Sequence, residues 1–238
     1  MEGRKLIALY GGTFDPVHVG HLSVARNLLR LFALDEVLFI PAHVAPHKRH
    51  APVSPPLHRY AMLALATQDE PRFSVSTVEL DAPERPYTVE TLAMLSKLHA
   101  PASRLFFVMG ADSWVEIGTW REWERVLGMV DHIVVTRPGF ELTTAHLTEG
   151  VSERIVDVRG RGAAQVARTL EENRAETKIY LSDAALVGVS ATEVRRAAQQ
   201  AESGAELAAL VPPAVADYIN KYRLYRETNE TGFTDAAR

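Results

Sequence analysis

A glycine-rich stretch close to the start of the chain places the strongest constraint on its fold. Gly11–His21 has the sequence Gly-Gly-Thr-Phe-Asp-Pro-Val-His-Val-Gly-His, and it directly follows the apolar run Leu6–Tyr10. After it, Leu22–Arg30 repeats apolar residues at helical spacing. A buried strand, a glycine turn and a helix start in this order bring backbone N–H groups and the positive end of a helix dipole to one point. The stretch therefore predicts a site that holds the phosphates of a nucleotide.

Two imidazoles in this stretch are spaced so that they can share one face of the helix start. His18 and His21 lie three residues apart, with Gly20 between them. Gly11 and Gly12 precede them at the strand end, where a residue without a side chain lets a ligand approach the backbone. Ligands of open α/β sheets bind at the carboxyl ends of strands, which is where these residues are predicted to lie.

The remainder of the chain alternates apolar runs with helical patterns. This predicts an α/β fold: a Rossmann-like, doubly wound, mainly parallel sheet with a small C-terminal helical addition. Strands are predicted at 5–10, 36–40, 73–76, 104–109, 132–136, 154–158 and 179–181. Helices are predicted at 21–32, 56–67, 88–98, 121–128, 190–200 and 211–222, with a short one after 110–113. We expect Thr88 to be an N-cap and residues 159–177 to form a helix or a loop.

The helix predicted at 56–67 follows a loop at 41–56 that is rich in proline, histidine and basic residues, and a loop of this length is typical of a functional or mobile segment. We expect the helix to bury its apolar positions, which are Leu57, Tyr60, Ala61, Ala64 and Leu65. No repeat or linker divides the chain, so residues 1–238 are expected to form one domain. Within it, 190–226 are the C-terminal helical part and 227–238 a disordered polar tail.

Composition argues against several classes of function. The 238 residues include no cysteine, which excludes disulfides, thiolate metal sites and a cysteine nucleophile. A formal net charge of −4 argues against bulk binding of nucleic acid. No apolar run is long enough to span a bilayer, and the first five residues lack the features of a signal peptide. We therefore expect a cytoplasmic protein with no nucleic-acid or membrane partner.

Two motifs resemble those of the nucleotidylyltransferases. Gly11–His21 is similar to the signature of that superfamily, whose core is HxGH, and Val189–Arg195 is similar to its ISxTxIR motif. Further segments resemble the nicotinate mononucleotide adenylyltransferase family. They are Pro46–Lys48, Tyr87–Leu92, Gly110–Ser113, Thr119-Trp120, Thr136–Gly139 and Pro213–Arg226. The resemblance covers almost the whole chain and is weakest at 140–178.

The resemblance implies a role for each of these segments. His18 and His21 would be catalytic, stabilising the triphosphate and the pentavalent transition state. The ATP site would comprise Gly11, Gly12, Thr13, Phe14, His18, His21, Gly110, Asp112, Ser190, Thr192 and Arg195. The nicotinate mononucleotide site would comprise Tyr87, Thr88, Val89, Trp120, Arg121 and Arg137. Trp120 would stack on the pyridine ring, and backbone N–H groups near Thr88–Val89 and Trp120–Arg121 would hold the acid.

The implied reaction transfers the adenylyl group of ATP to nicotinate mononucleotide, giving deamido-NAD and pyrophosphate in NAD biosynthesis. The acceptor phosphate is already ionised at neutral pH, so no strong general base is required, and positioning and charge stabilisation suffice. Mg²⁺ would enter with ATP, without a dedicated metal site on the protein. Lys48 is left open between a phosphate contact and solvent.

Two alternatives stay open at this point. The first is a transferase of the same fold with another acceptor, such as nicotinamide mononucleotide, phosphopantetheine or a cytidylyl acceptor, and the pyridine-site segments argue against the last two. The second is a nucleotide-binding regulator without catalysis, although both imidazoles are present. The sequence leaves undecided whether the acid or the amide is preferred and whether a homo-oligomer forms.

Overall fold

The computed structural model of the protein describes residues 4–43, 53–99, 101–136, 148–185, 187–200 and 204–226. Its strands are Lys5–Gly12 (β1), Glu36–Pro41 (β2), Phe73–Val75 (β3), Ser103–Gly110 (β4), Asp131–Val135 (β5), Ile155–Asp157 (β6) and Ile179–Ser182 (β7). Its α-helices are Val19–Leu31 (α1), Pro56–Thr67 (α2), Thr88–His99 (α3), Ala111–Val115 (α4), Trp123–Met129 (α5), Glu149–Ser152 (α6), Ala163–Glu172 (α7), Ala191–Gln199 (α8), Gly204–Leu210 (α9) and Pro213–Lys221 (α10). A 3₁₀-helix covers Ile117–Thr119.

The strands form one seven-stranded sheet in the order β3-β2-β1-β4-β5-β7-β6, and every neighbouring pair is parallel. The chain moves outward from β1 to β3 and then returns to place β4 on the other side of β1. The order reverses between β1 and β4, which is the switch point where open α/β sheets bind ligands. Gly12 ends β1 and Gly110 ends β4 at this point.

Helices cover both faces of the sheet. Along β1 the side chains alternate between two cores, with Ala8 in the first and both Ile7 and Leu9 in the second. The first core also contains the apolar faces of α1, α2, α7, α8, α9 and α10, and the second those of α3, α4, α5 and α6. Because β1 is buried on both faces, its sequence is a nearly continuous apolar run.

The predicted fold class is confirmed, and each predicted strand matches a strand of the sheet. Several helices differ from the prediction. The helix expected at 121–128 begins at Trp123, because the residue before it, Glu122, has a left-handed backbone with φ of 51°. The sequence patterns predict neither α6 nor α9.

The start of α3 also differs from the prediction. Thr88 is the first residue of this helix rather than its N-cap. The carbonyl of Tyr87 accepts the N–H of Thr91 over 3.1 Å, as an N-cap carbonyl does. The N–H of Tyr87 donates to the Glu90 carboxylate over 2.8 Å, so a side chain three residues into the helix caps it in return.

The buried face of α2 differs most from the prediction. Leu57 is 77% exposed, whereas Arg59, Met62 and Leu63 are buried. The apolar pattern misplaces part of the buried face: Leu65 does pack against the first core, but the pattern excludes an arginine from the core and Arg59 is buried.

The helices among the described residues are all too short or too polar to cross a bilayer. Residues 44–52 of the predicted loop and residues 227–238 of the predicted tail lie outside the described part of the chain.

Candidate active site

Glycines allow close packing around the loop between β1 and α1. A Cβ atom at Gly12 would lie 2.9 Å from the ring of Phe14. A Cβ atom at Gly20 would lie 3.0 Å from Nδ1 of His18 and 3.3 Å from the carbonyl oxygen of Val189. Any side chain at position 20 would therefore displace an imidazole and press on the second motif.

The two imidazoles of the loop are fixed side by side. His18 is the N-cap of α1, with an extended backbone, and is 5% exposed. Its backbone N–H donates to Nδ1 of His21 over 3.3 Å, so Nδ1 of His21 carries the lone pair and the hydrogen of the neutral ring lies on Nε2. The rings stack with centroids 3.7 Å apart. Both imidazoles lie at the positive end of the α1 dipole.

Aromatic side chains hold the His21 ring from the side of the sheet. The Phe14 ring meets it edge-on at a centroid distance of 5.0 Å, and Tyr10 does so at 6.2 Å. Burial raises the pKa of the Tyr10 hydroxyl, so Tyr10 adds no negative charge beside the imidazoles.

Asp15 ties the same loop to distant parts of the chain. Its carboxylate accepts the backbone N–H of Ser54 over 3.1 Å and the hydroxyl of Tyr225 over 2.8 Å. Its carbonyl accepts a guanidinium N–H of Arg195 over 2.8 Å. Asp15 is 5% exposed and each of its carboxylate oxygens has a protein donor, which favours a structural role for this side chain.

Two cavities open at the carboxyl ends of β1 and β4 and share a wall. The first cavity, of about 370 Å³, extends toward the start of α8, and His18 lines it. The second cavity, of about 500 Å³, extends toward Thr88 and Trp120. The shared wall consists of Gly11, Gly12, Thr13, His21, Val108, Met109, Gly110 and Asp112. His21 therefore lies where the two cavities meet.

The second motif brings another helix N-terminus to the first cavity. Ser190 lines this cavity and is the N-cap of α8. Its hydroxyl accepts the N–H of Glu193 over 3.3 Å, and its own N–H donates to the Glu193 carboxylate over 2.7 Å, which is a capping box. Thr192 and Arg195 do not line the first cavity: Arg195 donates to the Thr192 hydroxyl over 3.2 Å and to the Asp15 carbonyl.

Of the residues predicted for the acceptor, Thr88 and Trp120 line the second cavity. The Val89 side chain is 2% exposed and belongs to the second core. The Arg121 guanidinium lies 4.8 Å from the centroid of the Tyr87 ring in a cation–π contact. Tyr87, Val89 and Arg121 are therefore not part of the lining of either cavity.

Only some of the backbone N–H groups predicted to hold the acid group of the acceptor are available to a ligand. The N–H of Trp120 donates to the carbonyl of Ile117 over 2.9 Å and closes the 3₁₀ turn. The N–H groups of Thr88 and Val89 belong to the first turn of α3, where no carbonyl of the same helix can accept them. Lys48 and Arg137 lie outside the described residues.

Several polar residues at the site are missing from the prediction, and two of them stand out. Glu79 lines the second cavity, and Arg59 donates to the carbonyl of Thr13, a residue of the shared wall. An arginine three and four residues before Met62 and Leu63 was a helical-face signal in the sequence. Glu79 gave no comparable signal. No group of three or more His, Cys, Asp or Glu side chains that could hold a metal occurs within the described ranges.

The sequence matches a known family over most of its length. The family model described as cytidylyltransferase-like matches residues 9–197. A Symbiobacterium thermophilum protein named probable nicotinate-nucleotide adenylyltransferase is 38% identical over 219 residues, which cover 92% of this chain and 94% of that protein. A Thermoanaerobacter protein of the same name is 34% identical over 232 residues, 98% of this chain and all of that protein.

A solved structure shares the fold. It is that of Plasmodium falciparum nicotinic acid mononucleotide adenylyltransferase complexed with NaAD, with a TM-score of 0.67 and 21% identity. The match covers 93% of this chain and 97% of that one. The same enzyme complexed with APC gives the same TM-score.

Proposed function

The chain belongs to the cytidylyltransferase-like family and, within it, to the nicotinate-nucleotide adenylyltransferases, and from this premise we propose that it transfers the adenylyl group of ATP to nicotinate mononucleotide. The products are nicotinate adenine dinucleotide (deamido-NAD) and pyrophosphate. The protein is thus a nucleotidyltransferase of NAD biosynthesis.

The shared wall of the two cavities is the observation that best supports this proposal. A transfer between two nucleotides needs two binding spaces that meet at the group being transferred. ATP would occupy the first cavity, between the starts of α1 and α8, and the acceptor the second. His21 and the two glycines at the end of β1 line both, so the α-phosphate of ATP would lie beside them.

The reaction is a direct displacement at phosphorus. An oxygen of the acceptor's 5′-phosphate attacks the α-phosphorus of ATP, and a new P–O bond forms as the bond to the bridging oxygen of the β-phosphate breaks. Pyrophosphate leaves with the electron pair. Because the attacking phosphate is already ionised, no side chain needs to remove a proton. His18 and His21 donate hydrogen bonds to the phosphoryl oxygens, on which charge must be stabilised during transfer.

Helix N-termini supply the remaining positive potential of the first cavity. The first turns of α1 and α8 carry backbone N–H groups without helical partners and favour a triphosphate between them. The Ser190 hydroxyl can serve the same anion. Gly110 and Asp112, at the end of β4 and in the first turn of α4, would contact the adenosine.

Mg²⁺ fits this site as an ion that arrives with ATP. The described residues offer no clustered set of carboxylates and imidazoles, and Asp15 already accepts from two protein donors. Phosphate oxygens and water are the ligands that Mg²⁺ prefers when a protein supplies few of its own. An Mg²⁺ ion bound with ATP would neutralise charge on the triphosphate and on the leaving pyrophosphate.

The acceptor would be recognised at the far end of the second cavity. Trp120, whose ring meets Phe107 edge-on at a centroid distance of 6.4 Å, is the aromatic side chain on which a cationic pyridine ring would stack. The acid group would take the N–H groups of Thr88 and Val89 at the start of α3, because a helix N-terminus favours an anion.

The test is an assay of pyrophosphate release with ATP, Mg²⁺ and nicotinate mononucleotide, in which we expect turnover and nicotinate adenine dinucleotide as the product. Nicotinamide mononucleotide in the same assay should give a lower kcat/KM, because its neutral amide would interact less favourably with the N-terminus of α3 than a carboxylate does. Absence of turnover with the acid across a range of ATP concentrations would show the proposal to be wrong.

A further inference from the structure

Arg59 of α2 is a fully buried arginine that binds backbone carbonyls. It donates to the carbonyls of Thr13 and Ala42, each over 2.7 Å, and to those of His43 and Ser54, each over 3.0 Å. Burial lowers the pKa of its guanidinium, yet an arginine stays charged at neutral pH. The segment that follows β2 is therefore held from one side by a buried cation.

Glu79 holds the same segment from the other side. Its carboxylate accepts the backbone N–H of His43 over 3.1 Å and the hydroxyl of Thr91 over 2.9 Å. Burial raises the pKa of the Glu79 carboxyl, while these two donors and the charge of Arg59 oppose the rise. Both carboxylate oxygens are thus engaged with protein atoms at the edge of the second cavity.

Together these contacts form a continuous hydrogen-bonded chain across the site. It runs from Thr13 through Arg59, His43 and Glu79 to Thr91. Thr13 belongs to the shared wall, and Thr91 lies on α3 one turn after Thr88, on the same helical face. Ala42, which precedes His43, lines the second cavity, as do Thr88 and Thr91 of α3. Glu79 is the side chain that joins residues 42–43 to α3.

We infer that Glu79 is a positioning residue for the acceptor substrate, which sets the separation between residues 42–43 and the start of α3. This inference rests on the proposed function, because it takes the second cavity to be the acceptor site. Glu79 acts through His43 and Thr91 and needs no contact with the acceptor. The N–H groups of α3 that would hold the acid then keep their place relative to the phosphate-binding loop.

Loss of the hydrogen bonds made by Glu79 should weaken binding of the acceptor and leave binding of ATP largely unchanged. The first cavity is lined by α1, α8 and the ends of β1 and β4, and neither Glu79 nor Thr91 lines it. A loosened α3 would therefore raise KM for nicotinate mononucleotide more than KM for ATP. A general loss of stability would not separate the two constants in this way.

The experiment compares two threonine variants of the full chain. Thr91→Val removes the hydroxyl that donates to Glu79 and should raise KM for nicotinate mononucleotide about fivefold, the effect of one lost hydrogen bond, with KM for ATP within twofold. Thr67→Val is the matched control: its hydroxyl is also buried on a helix and donates to the carbonyl four residues before, but it lies on α2, away from both cavities. Its two KM values should stay within twofold of the wild type.

Two substitutions of Glu79 separate hydrogen bonding from charge. Glu79→Ala removes both bonds and should raise KM for nicotinate mononucleotide at least about tenfold. Glu79→Gln should restore it to within about threefold, because the amide oxygen can accept from His43 while the amide NH₂ donates to the Thr91 hydroxyl.

The wild type is assayed first, since its failure to use nicotinate mononucleotide contradicts the proposed function alone. With an active wild type, an unchanged KM in Thr91→Val and Glu79→Ala overturns the positioning role. Equal effects of Thr91→Val and Thr67→Val, or Glu79→Gln as impaired as Glu79→Ala, also overturn it.

Discussion

At the scale of single residues, the proposed site depends on two imidazoles that differ in their surroundings. His18 is nearly buried at the cap of α1 and lines the first cavity, whereas His21 lies on the wall shared by both cavities. The bond from the His18 N–H to Nδ1 of His21 leaves Nε2 of His21 as a donor. The charge-stabilising roles proposed for the two rings rest on these positions.

The first prediction concerns His18 and His21. Replacing either by alanine should lower kcat about 10²- to 10³-fold, the range for losing one donor that stabilises a charged transition state, while circular dichroism stays unchanged. His99→Ala is the control, since His99 ends α3 and lines neither cavity. Activity of His21→Ala within fivefold of the wild type would contradict a catalytic role for His21.

A different histidine should govern part of the stability of the protein toward acid. His132 of β5 is fully buried, with Nδ1 3.0 Å from the carbonyl of Val130. Burial is the main cause that lowers its pKa from 6.5 to about 3. The folded protein thus keeps this imidazole neutral in a pH range where the unfolded chain protonates it.

The sign of the effect follows from this difference in pKa. The stabilising contribution is present above pH 6.5 and is lost as the pH falls toward 3, because the unfolded state binds the proton. Between pH 7 and pH 5 the loss from one such histidine is about 2 kcal/mol. Urea unfolding at pH 7 and pH 5 measures how much the free energy of unfolding falls between the two pH values. This fall should be about 2 kcal/mol smaller in His132→Leu than in the wild type. An equal pH dependence in wild type and variant would rule out His132 as its source.

At the scale of elements, the N-termini of two helices, α1 and α8, lie at the first cavity. The start of α1 follows β1 directly, while α8 reaches the same cavity from the far end of the chain, next to Gly20. In the structure, the Ser190–Glu193 capping box satisfies two backbone donors at the start of α8, the N–H groups of Ser190 and Glu193, and also takes the Ser190 hydroxyl. A triphosphate would share these donors with the Glu193 carboxylate.

Removal of the N-cap hydroxyl of α8 should therefore lower both the stability of the protein and its affinity for ATP. Ser190→Ala should lower the free energy of unfolding by about 1 kcal/mol, as for other lost N-caps, and should raise KM for ATP. Ser152→Ala removes a serine hydroxyl at the exposed end of α6 and should change neither quantity. Urea unfolding and initial-rate kinetics give both readouts, and an unchanged KM for ATP in Ser190→Ala would argue against a phosphate contact at this residue.

At the scale of the whole molecule, the segment after α10 is hydrogen-bonded to the loop between β1 and α1. Tyr225 and Asp15 are 210 positions apart, yet the tyrosine hydroxyl donates to the carboxylate over 2.8 Å. Arg195 adds a bond from α8 to the Asp15 carbonyl. The loop between β1 and α1 is therefore hydrogen-bonded to α8 and to the segment after α10, so its position depends on the complete fold.

This link gives a prediction with a close internal control. Tyr225→Phe removes one bond to a buried carboxylate and should lower the free energy of unfolding by about 1 to 2 kcal/mol. Tyr222→Phe lies three residues earlier, where the side chain is 49% exposed, and should cost little. The two variants would be compared by urea unfolding. Equal stabilities would mean that the contact with Asp15 contributes nothing measurable.

Local sequence accounts for much of the fold and for part of the site. The apolar run before Gly11 predicts β1, and the helical repeat after His21 predicts α1, because strand and helix periodicity are properties of neighbouring residues. The spacing of His18 and His21 likewise predicts two imidazoles together at one helix start. These features required no knowledge of distant contacts.

The tertiary structure alone decided the polar contacts that hold the site in shape. The bond from Arg59 to the Thr13 carbonyl joins residues 46 positions apart, and the bond from Thr91 to Glu79 joins a helix to a segment without regular structure 12 positions before it. Such bonds depend on the order of the strands in the sheet, which no local pattern contains. The stretch Gly11–His21 by itself determined which chemical groups the site offers. The distance and direction at which they face the acceptor were set by the packing of α2, α3 and the C-terminal helices around it, because a buried charge or hydroxyl is stable only where the fold provides its partner.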